Sequence, residues 1–107
     1  MTPEDRLHAR LAALDAEDAA GAEGRRTVEL DQQAVGRLSR MDALQSQAMA
    51  QAQARRRAAE RQRIHAALAR LAEGDYGYCT DCGEKIAEKR LAADPSIALC
   101  ADCMRGA

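Results

Sequence analysis

The stretch YGYCTDCGEKIAEKRLAADPSIALCADC, positions 76–103, holds all four cysteines of a 107-residue chain in two Cys-x-x-Cys pairs. Cys79 and Cys82 are separated from Cys100 and Cys103 by 17 residues, within the spacing class of four-cysteine zinc sites. Two thiolates with two residues between them grip one metal from a single turn, and a second such turn completes a tetrahedron. Gly83, just after the second thiolate, suits the left-handed turn that this geometry requires. Four protein ligands leave no open position for water, so the expected cofactor is one structural zinc ion (Zn2+). With so few large apolar residues between 74 and 107, metal ligation is what lets the segment fold. An iron site or cluster is the rival metal reading. A thioredoxin-like redox pair is disfavoured because no βαβ pattern surrounds either motif.

Upstream, the composition changes. Hydrophobic residues make up 47% of the chain, but much of that count is alanine, there is no Trp or Phe, and the aromatics are Tyr76 and Tyr78 alone. Alanine, Arg, Glu, Gln and Leu dominate positions 1–73, the composition of long helices packed along a narrow seam, which predicts an elongated molecule. The N-terminus carries acids and arginines instead of a signal peptide's apolar run, and no window approaches the roughly 18 apolar residues of a membrane span. The expected location is the cytoplasm, where paired cysteines read as metal ligands rather than disulfides. Charge is uneven. Two arginines against six acids give −4 over residues 1–24, ten arginines against four acids give +6 over 25–71, and four bases against seven acids give −3 over 72–107. Any partner would feel this polarity.

Thr2 is a candidate N-cap, with Pro3 at the first helical position and Glu4 and Asp5 in the first turn. Leu7, Leu11 and Leu14 form one stripe, so a first helix is predicted from 3 to about 20, with a loop at Gly21 and Gly24. Residues 27–36 fit either a short helical turn capped by Thr27 or irregular chain. Beyond them Leu38, Met41, Ala48, Ala52, Ala59 and Ala66 form a candidate seam, which Ile64, Leu68 and Leu71 continue to a C-terminal cap at Gly74. The second helix is predicted over 37–73. The expected fold is mainly α: an antiparallel, coiled-coil-like helical hairpin over 1–73, its first helix about half as long as its second unless residues 27–36 extend it, and a C-terminal four-cysteine zinc finger over 74–107. His8 and His65 read as solvent-facing or seam residues, since the tetrahedron is complete without them.

The stretch LARLAEGDYGYCTDCGEKIAEKRLAADPSIALCADC resembles the zinc-finger region of the DksA/TraR family of bacterial transcription regulators. A helix ends in Gly-x-Tyr-Gly-x-Cys; Cys-Gly-x-x-Ile, an Arg-Leu pair, a proline and Cys-x-x-Cys follow. The resemblance covers about a third of the chain. It implies a monomeric regulator that binds RNA polymerase directly, without sequence-specific DNA contacts, by pushing the hairpin into the secondary channel while the finger stays at the rim. Longer members carry acidic residues in an Asp-x-x-Asp-x-Ala pattern at the hairpin tip. Here Asp15 and Asp18 fit that pattern literally, whereas Asp31, Arg37, Arg40 and Asp42 stand closer to the family's layout and are the preferred acting end. Only Met104 to Ala107 follow the last cysteine, so the C-terminal helix of longer relatives is expected to be missing or vestigial, which puts an alarmone response in doubt.

Two rival functions remain in view. Arg55, Arg56, Arg57, Arg61 and Arg63 make a basic cluster that phosphates would find, so a zinc-folded nucleic-acid-binding module using positions 55–63 is the alternative, against a plain solvated face. An enzyme is not expected: Asp75, Tyr76, Asp81 and Asp102 flank the knuckles, but no nucleophile is paired with a base. An alanine-seamed homodimer is the structural alternative to a monomer.

Overall fold

Thr2 caps the first helix reciprocally. The Asp5 backbone N–H donates to Thr2 Oγ1 at 3.0 Å, and the Thr2 N–H donates to the Asp5 carboxylate at 3.3 Å. Two otherwise orphaned donors are thereby satisfied, with Pro3 preset for the first turn. In this computed structural model that helix, α1, spans Pro3–Val35; α2 spans Arg40–Glu73, and the short α3 and α4 cover Glu88–Ala93 and Ala101–Met104. The structure describes residues 1–35 and 40–106, with the backbone alone between 23 and 35.

Helix α1 corrects the expectation that it would stop near residue 20. It runs straight through Gly21 and Gly24, and its 33 residues match the 34 of α2 instead of being half as many. The two glycines together cost about 2 kcal/mol relative to alanine, which a second helix alongside can offset. Gly21 is half-buried and continues the stripe of Leu7, Leu11, Leu14 and Asp18 at alternating steps of four and three, where a missing side chain suits close packing. Positions 27–35, which the sequence left open, are helical; Gly36 and Leu38 lie outside the described residues.

At its far end α2 stops as predicted. Gly74 takes a φ of 82°, its N–H donates to Leu71 O at 3.3 Å, and the Asp75 N–H donates to Arg70 O at 2.8 Å. This double return is the Schellman arrangement, which favours glycine at the left-handed position.

The seam of α2 differs from the one expected. Met41, Ala48, Ala59 and Ala66 are exposed, with Ala52 half-buried. Ile64, Leu68 and Leu71 are covered as expected, and upstream of them the covered stripe is Ala43, Ala50, Ala54, Arg57 and Arg61. Alanine occurs on every face of this helix and therefore indicates no direction. Two covered positions are arginines, whose stems pack while their heads seek partners.

The chain divides into two compact units, Met1–Leu11 with Glu60–Ala107, and Ala12–Ala59. In the first, Leu7, Ile64, Ala67, Cys79, Ile86 and Ser96 are buried. Arg10 grips Glu60 with two hydrogen bonds, of 2.6 and 3.0 Å, and its guanidinium holds the Glu60 carboxyl below the usual carboxylate range. Arg6 donates to Leu91 O at 3.3 Å and Ala92 O at 2.5 Å, so the start of α1 caps the last carbonyls of α3. In the second unit Leu14 is the one fully buried side chain among the described residues, and Arg57 pairs with Asp18. Grouping the start of α1 with the end of α2 makes the pair antiparallel, and the fold is a helical hairpin with a small C-terminal four-cysteine finger. No strand occurs among the described residues, only a bridge between Tyr78 and Lys85. No helix among them is long and apolar enough to cross a membrane.

Leu7→Ala removes a fully buried side chain and should lower the unfolding free energy by about 2–5 kcal/mol. Ala48→Gln, at a position of the expected but exposed stripe, should change it by less than about 0.5 kcal/mol. Urea unfolding followed by helical circular dichroism checks both.

Candidate metal centre

The first cysteine pair sits in a tight reversal built from backbone groups. The Cys79 N–H donates to Glu84 O at 2.8 Å, the Gly83 N–H returns to Cys79 O at 2.9 Å, and the Ile86 N–H reaches Gly77 O at 2.8 Å. Gly83 lies in the left-handed region at a φ of 76°, as the knuckle reading requires. The second pair straddles the start of α4, where Cys100 is the N-cap and its carbonyl accepts the Met104 N–H at 2.9 Å. Thr80 ties the two halves together by donating its N–H to Ala98 O at 2.9 Å. Asp94 Oδ1 accepts from the Ser96 N–H and hydroxyl at 3.0 and 2.7 Å, shaping the turn that brings the chain back. The Tyr76 hydroxyl fastens that turn through Pro95 O at 2.8 Å, and burial raises the phenol above its ordinary value.

These contacts bring all four Sγ atoms within 4.8 Å of one another, with Cys82 and Cys100 sulfurs 3.7 Å apart. A tetrahedron with metal–sulfur bonds of about 2.3 Å has edges of about 3.8 Å, which the Cys82–Cys100 separation matches and which the cluster as a whole can accommodate. Cys79 is buried, Cys100 and Cys103 are half-buried, and Cys82 is exposed.

Electrostatics point the same way. Backbone N–H groups of Cys100 and then Cys82 stabilise the Cys79 thiolate and bring it down to about 6, against the effect of burial. The Glu84 N–H favours the Cys82 thiolate too, but the Cys79 sulfur, burial and the Cys100 sulfur together push that thiol up. Cys103 is pushed up by the Cys100, Cys79 and Cys82 sulfurs. One negative charge is accommodated and more are resisted, a conflict that a divalent cation among the sulfurs removes. Cys79, Cys82, Cys100 and Cys103 would hold the ion as four thiolates, leaving it no position for substrate or water.

Other residues singled out in the sequence fall elsewhere. His8 and His65 are exposed on α1 and α2, away from the sulfurs. Arg40 and Asp42 are exposed in the first turn of α2, where the carboxylate complements the helix N-terminus. The Asp31 side chain and Arg37 lie outside the described residues. Asp15 is exposed, but Asp18 faces Arg57. Of the basic cluster, Arg55, Arg56 and Arg63 are exposed, while the Arg57 side chain is 15% exposed. Arg6 and Thr80 carry finger geometry that sequence reasoning missed. Their partners are backbone carbonyls 85 and 18 residues away, and no motif records such contacts.

Cys82→Ser should abolish stoichiometric zinc binding and unfold residues 74–107, seen by metal analysis and by circular dichroism. Because raised thiols are protonated at neutral pH, binding at pH 7 must expel at least the Cys82 and Cys103 protons. Zinc affinity should therefore fall at least about a hundredfold as pH drops from 7 to 6, since each expelled proton contributes a factor of ten per unit. Competition with a chromophoric chelator across that range measures it.

Residues 74–107 match the model of the prokaryotic dksA/traR C4-type zinc finger. Over 41 residues, 38% of this chain and 28% of the relative, the sequence is 49% identical to the RNA polymerase-binding transcription factor DksA of Haemophilus influenzae. It is 42% identical to the Escherichia coli K12 protein of the same name over 41 residues, 27% of that protein. The alignment thus spans little more than a quarter of these relatives. The solved structure of transcription factor DksA2 from Pseudomonas aeruginosa superposes with a TM-score of 0.77 at 26% identity, covering 97% of this chain and 78% of that one. Residues 74–107 thus carry a C4-type finger similar to that of the DksA/TraR proteins, and the hairpin-plus-finger fold is shared with DksA2 along nearly the whole chain.

Proposed function

We propose that this protein is a cytoplasmic, non-enzymatic regulator of bacterial transcription that binds RNA polymerase directly. It enters the secondary channel with the hairpin and alters the stability of promoter complexes. The zinc ion supplies structure, and Asp31, Arg37, Arg40 and Asp42 form the acting end. The observation that carries the proposal is the likeness to DksA2 over 97% of the chain, beyond the finger that the RNA polymerase-binding relatives share.

The surface of the second unit supports a protein partner. Met41, Leu44 and Met49 on α2 are 69%, 56% and 64% exposed, three large apolar side chains within nine residues. Protein contacts commonly bury such groups, whereas phosphate contacts need only cations. The rival nucleic-acid reading keeps Arg55, Arg56 and Arg63 but loses Arg57 to Asp18, and no aromatic is available on either long helix for base stacking. Asp42 also supports the preferred acting end over the Asp15–Asp18 pattern, since Asp18 is engaged by Arg57.

The zinc-loaded protein should bind core RNA polymerase, and a double variant Asp31→Asn, Asp42→Asn should bind within about threefold of wild type while losing its effect on transcription from an unstable promoter. Failure of wild type to bind would overturn the polymerase reading. Comparable transcriptional effects from both proteins would move the acting end elsewhere. Steeply salt-dependent binding to arbitrary duplex DNA, with no polymerase binding, would favour the nucleic-acid alternative.

A further inference from the structure

The seam of the second unit has an uncommon make-up. Among the described residues its covered positions on α2 are Ala43, Ala50, Ala52, Ala54 and Arg57; on α1 they are Ala13, Leu14, Asp18, Gly21 and Ala22. Larger apolar side chains of the same unit, Met41, Leu44 and Met49, point away from it. Ala43 and Ala50 lie one heptad apart and are alike, so by themselves they do not distinguish one register from the next, and Leu14 is the one fully buried side chain among the described residues of the unit. Within it, the Arg57 Nε donates to Asp18 Oδ1, and the two side chains are 15% and 40% exposed.

From this arrangement we infer that Asp18 and Arg57 are positioning residues: their ion pair sets the register of α1 against α2. The antiparallel pairing places position 18 opposite 57. A slip of one heptad in one sense sets Asp18 against Ile64 and Arg57 against Arg25; in the other sense it sets Asp18 against Ala50 and Arg57 against Leu11. Both slips strand a partly covered carboxylate beside an apolar residue and leave the guanidinium beside a like charge or a leucine. An unpaired charge under cover is strongly disfavoured, whereas the aligned pair is satisfied. A polar position in a packed seam that loses stability but excludes other registers is a known use of such groups. The consequence is geometric. A one-heptad slip displaces one helix by about 10 Å along the other and moves the bounds of the hairpin's reversal by about one turn, roughly 5 Å. The pair therefore helps to hold α1 and α2 in one register, as Arg10 and Glu60 do nearer the start of α1.

The test measures register separately from stability. Spin labels carried by ketone-bearing residues at the exposed positions Ala16 and Ala58 leave the four cysteines free for zinc. Electron–electron distance measurements are made on the full zinc-loaded chain. Wild type and the charge-conserving double variant Asp18→Glu, Arg57→Lys should each give one distance. The apolar double variant Asp18→Leu, Arg57→Leu should stay helical and unfold at the same or higher temperature, yet divide into two or more distances as slipped registers become populated. A single wild-type distance in the leucine variant would overturn the assignment, because a merely stabilising pair can be replaced by apolar packing without loss of register. A split distribution in the charge-conserving variant would overturn it as well.

Discussion

Four sulfur atoms within 4.8 Å of one another would crowd like charges if they became thiolates, a repulsion that a cation among them relieves, and the finger is organised around that constraint. Cys79 ionises readily because backbone N–H groups converge on it, while its neighbours resist. The segment has little else to hold it. Cys79, Ile86 and Ser96 are its buried residues, and its remaining order comes from short backbone hydrogen bonds and the turn at Asp94. A core this small offsets little of the conformational entropy of ordering more than thirty residues, the situation in which a structural metal contributes its binding free energy to folding.

Around that centre the first unit joins distant parts of the chain. Arg6, near the start of α1, caps carbonyls at the end of α3, and Arg10 grips Glu60 on α2. Leu7 and Ile64 fill the space that the Ala-rich helices would otherwise leave open. Each link is modest: a charged group on a carbonyl contributes about 1.5–3 kcal/mol and an exposed ion pair less than about 1 kcal/mol. Together they give the finger a base of helix to rest on. The second unit follows another rule, with small residues and an ion pair in its seam and methionines outside it.

The division of legibility follows from how locally each feature is encoded. The zinc site, the Thr2 start of α1, the Gly74 stop of α2 and the left-handed Gly83 could all be read in the sequence. Each depends on residues within a few positions of one another, where spacing and backbone preference act directly. Hairpin topology was legible for a related reason, since two amphipathic stretches over a finger leave few ways to bury their stripes.

Where the two helices meet was decided only in the tertiary structure. Alanine at nearly every third position of α2 makes several stripes equivalent as sequence, and the one chosen includes Arg57, whose cover is tolerable because Asp18 on α1 partners it. The passage of α1 through Gly21 and Gly24 has the same origin. Local propensity disfavours each glycine by about 1 kcal/mol, and a second helix running alongside overrides it. Arg6 makes the point most directly: nothing near it in the chain foretells a bond to a carbonyl 86 residues away, and only the folded finger brings that acceptor within reach.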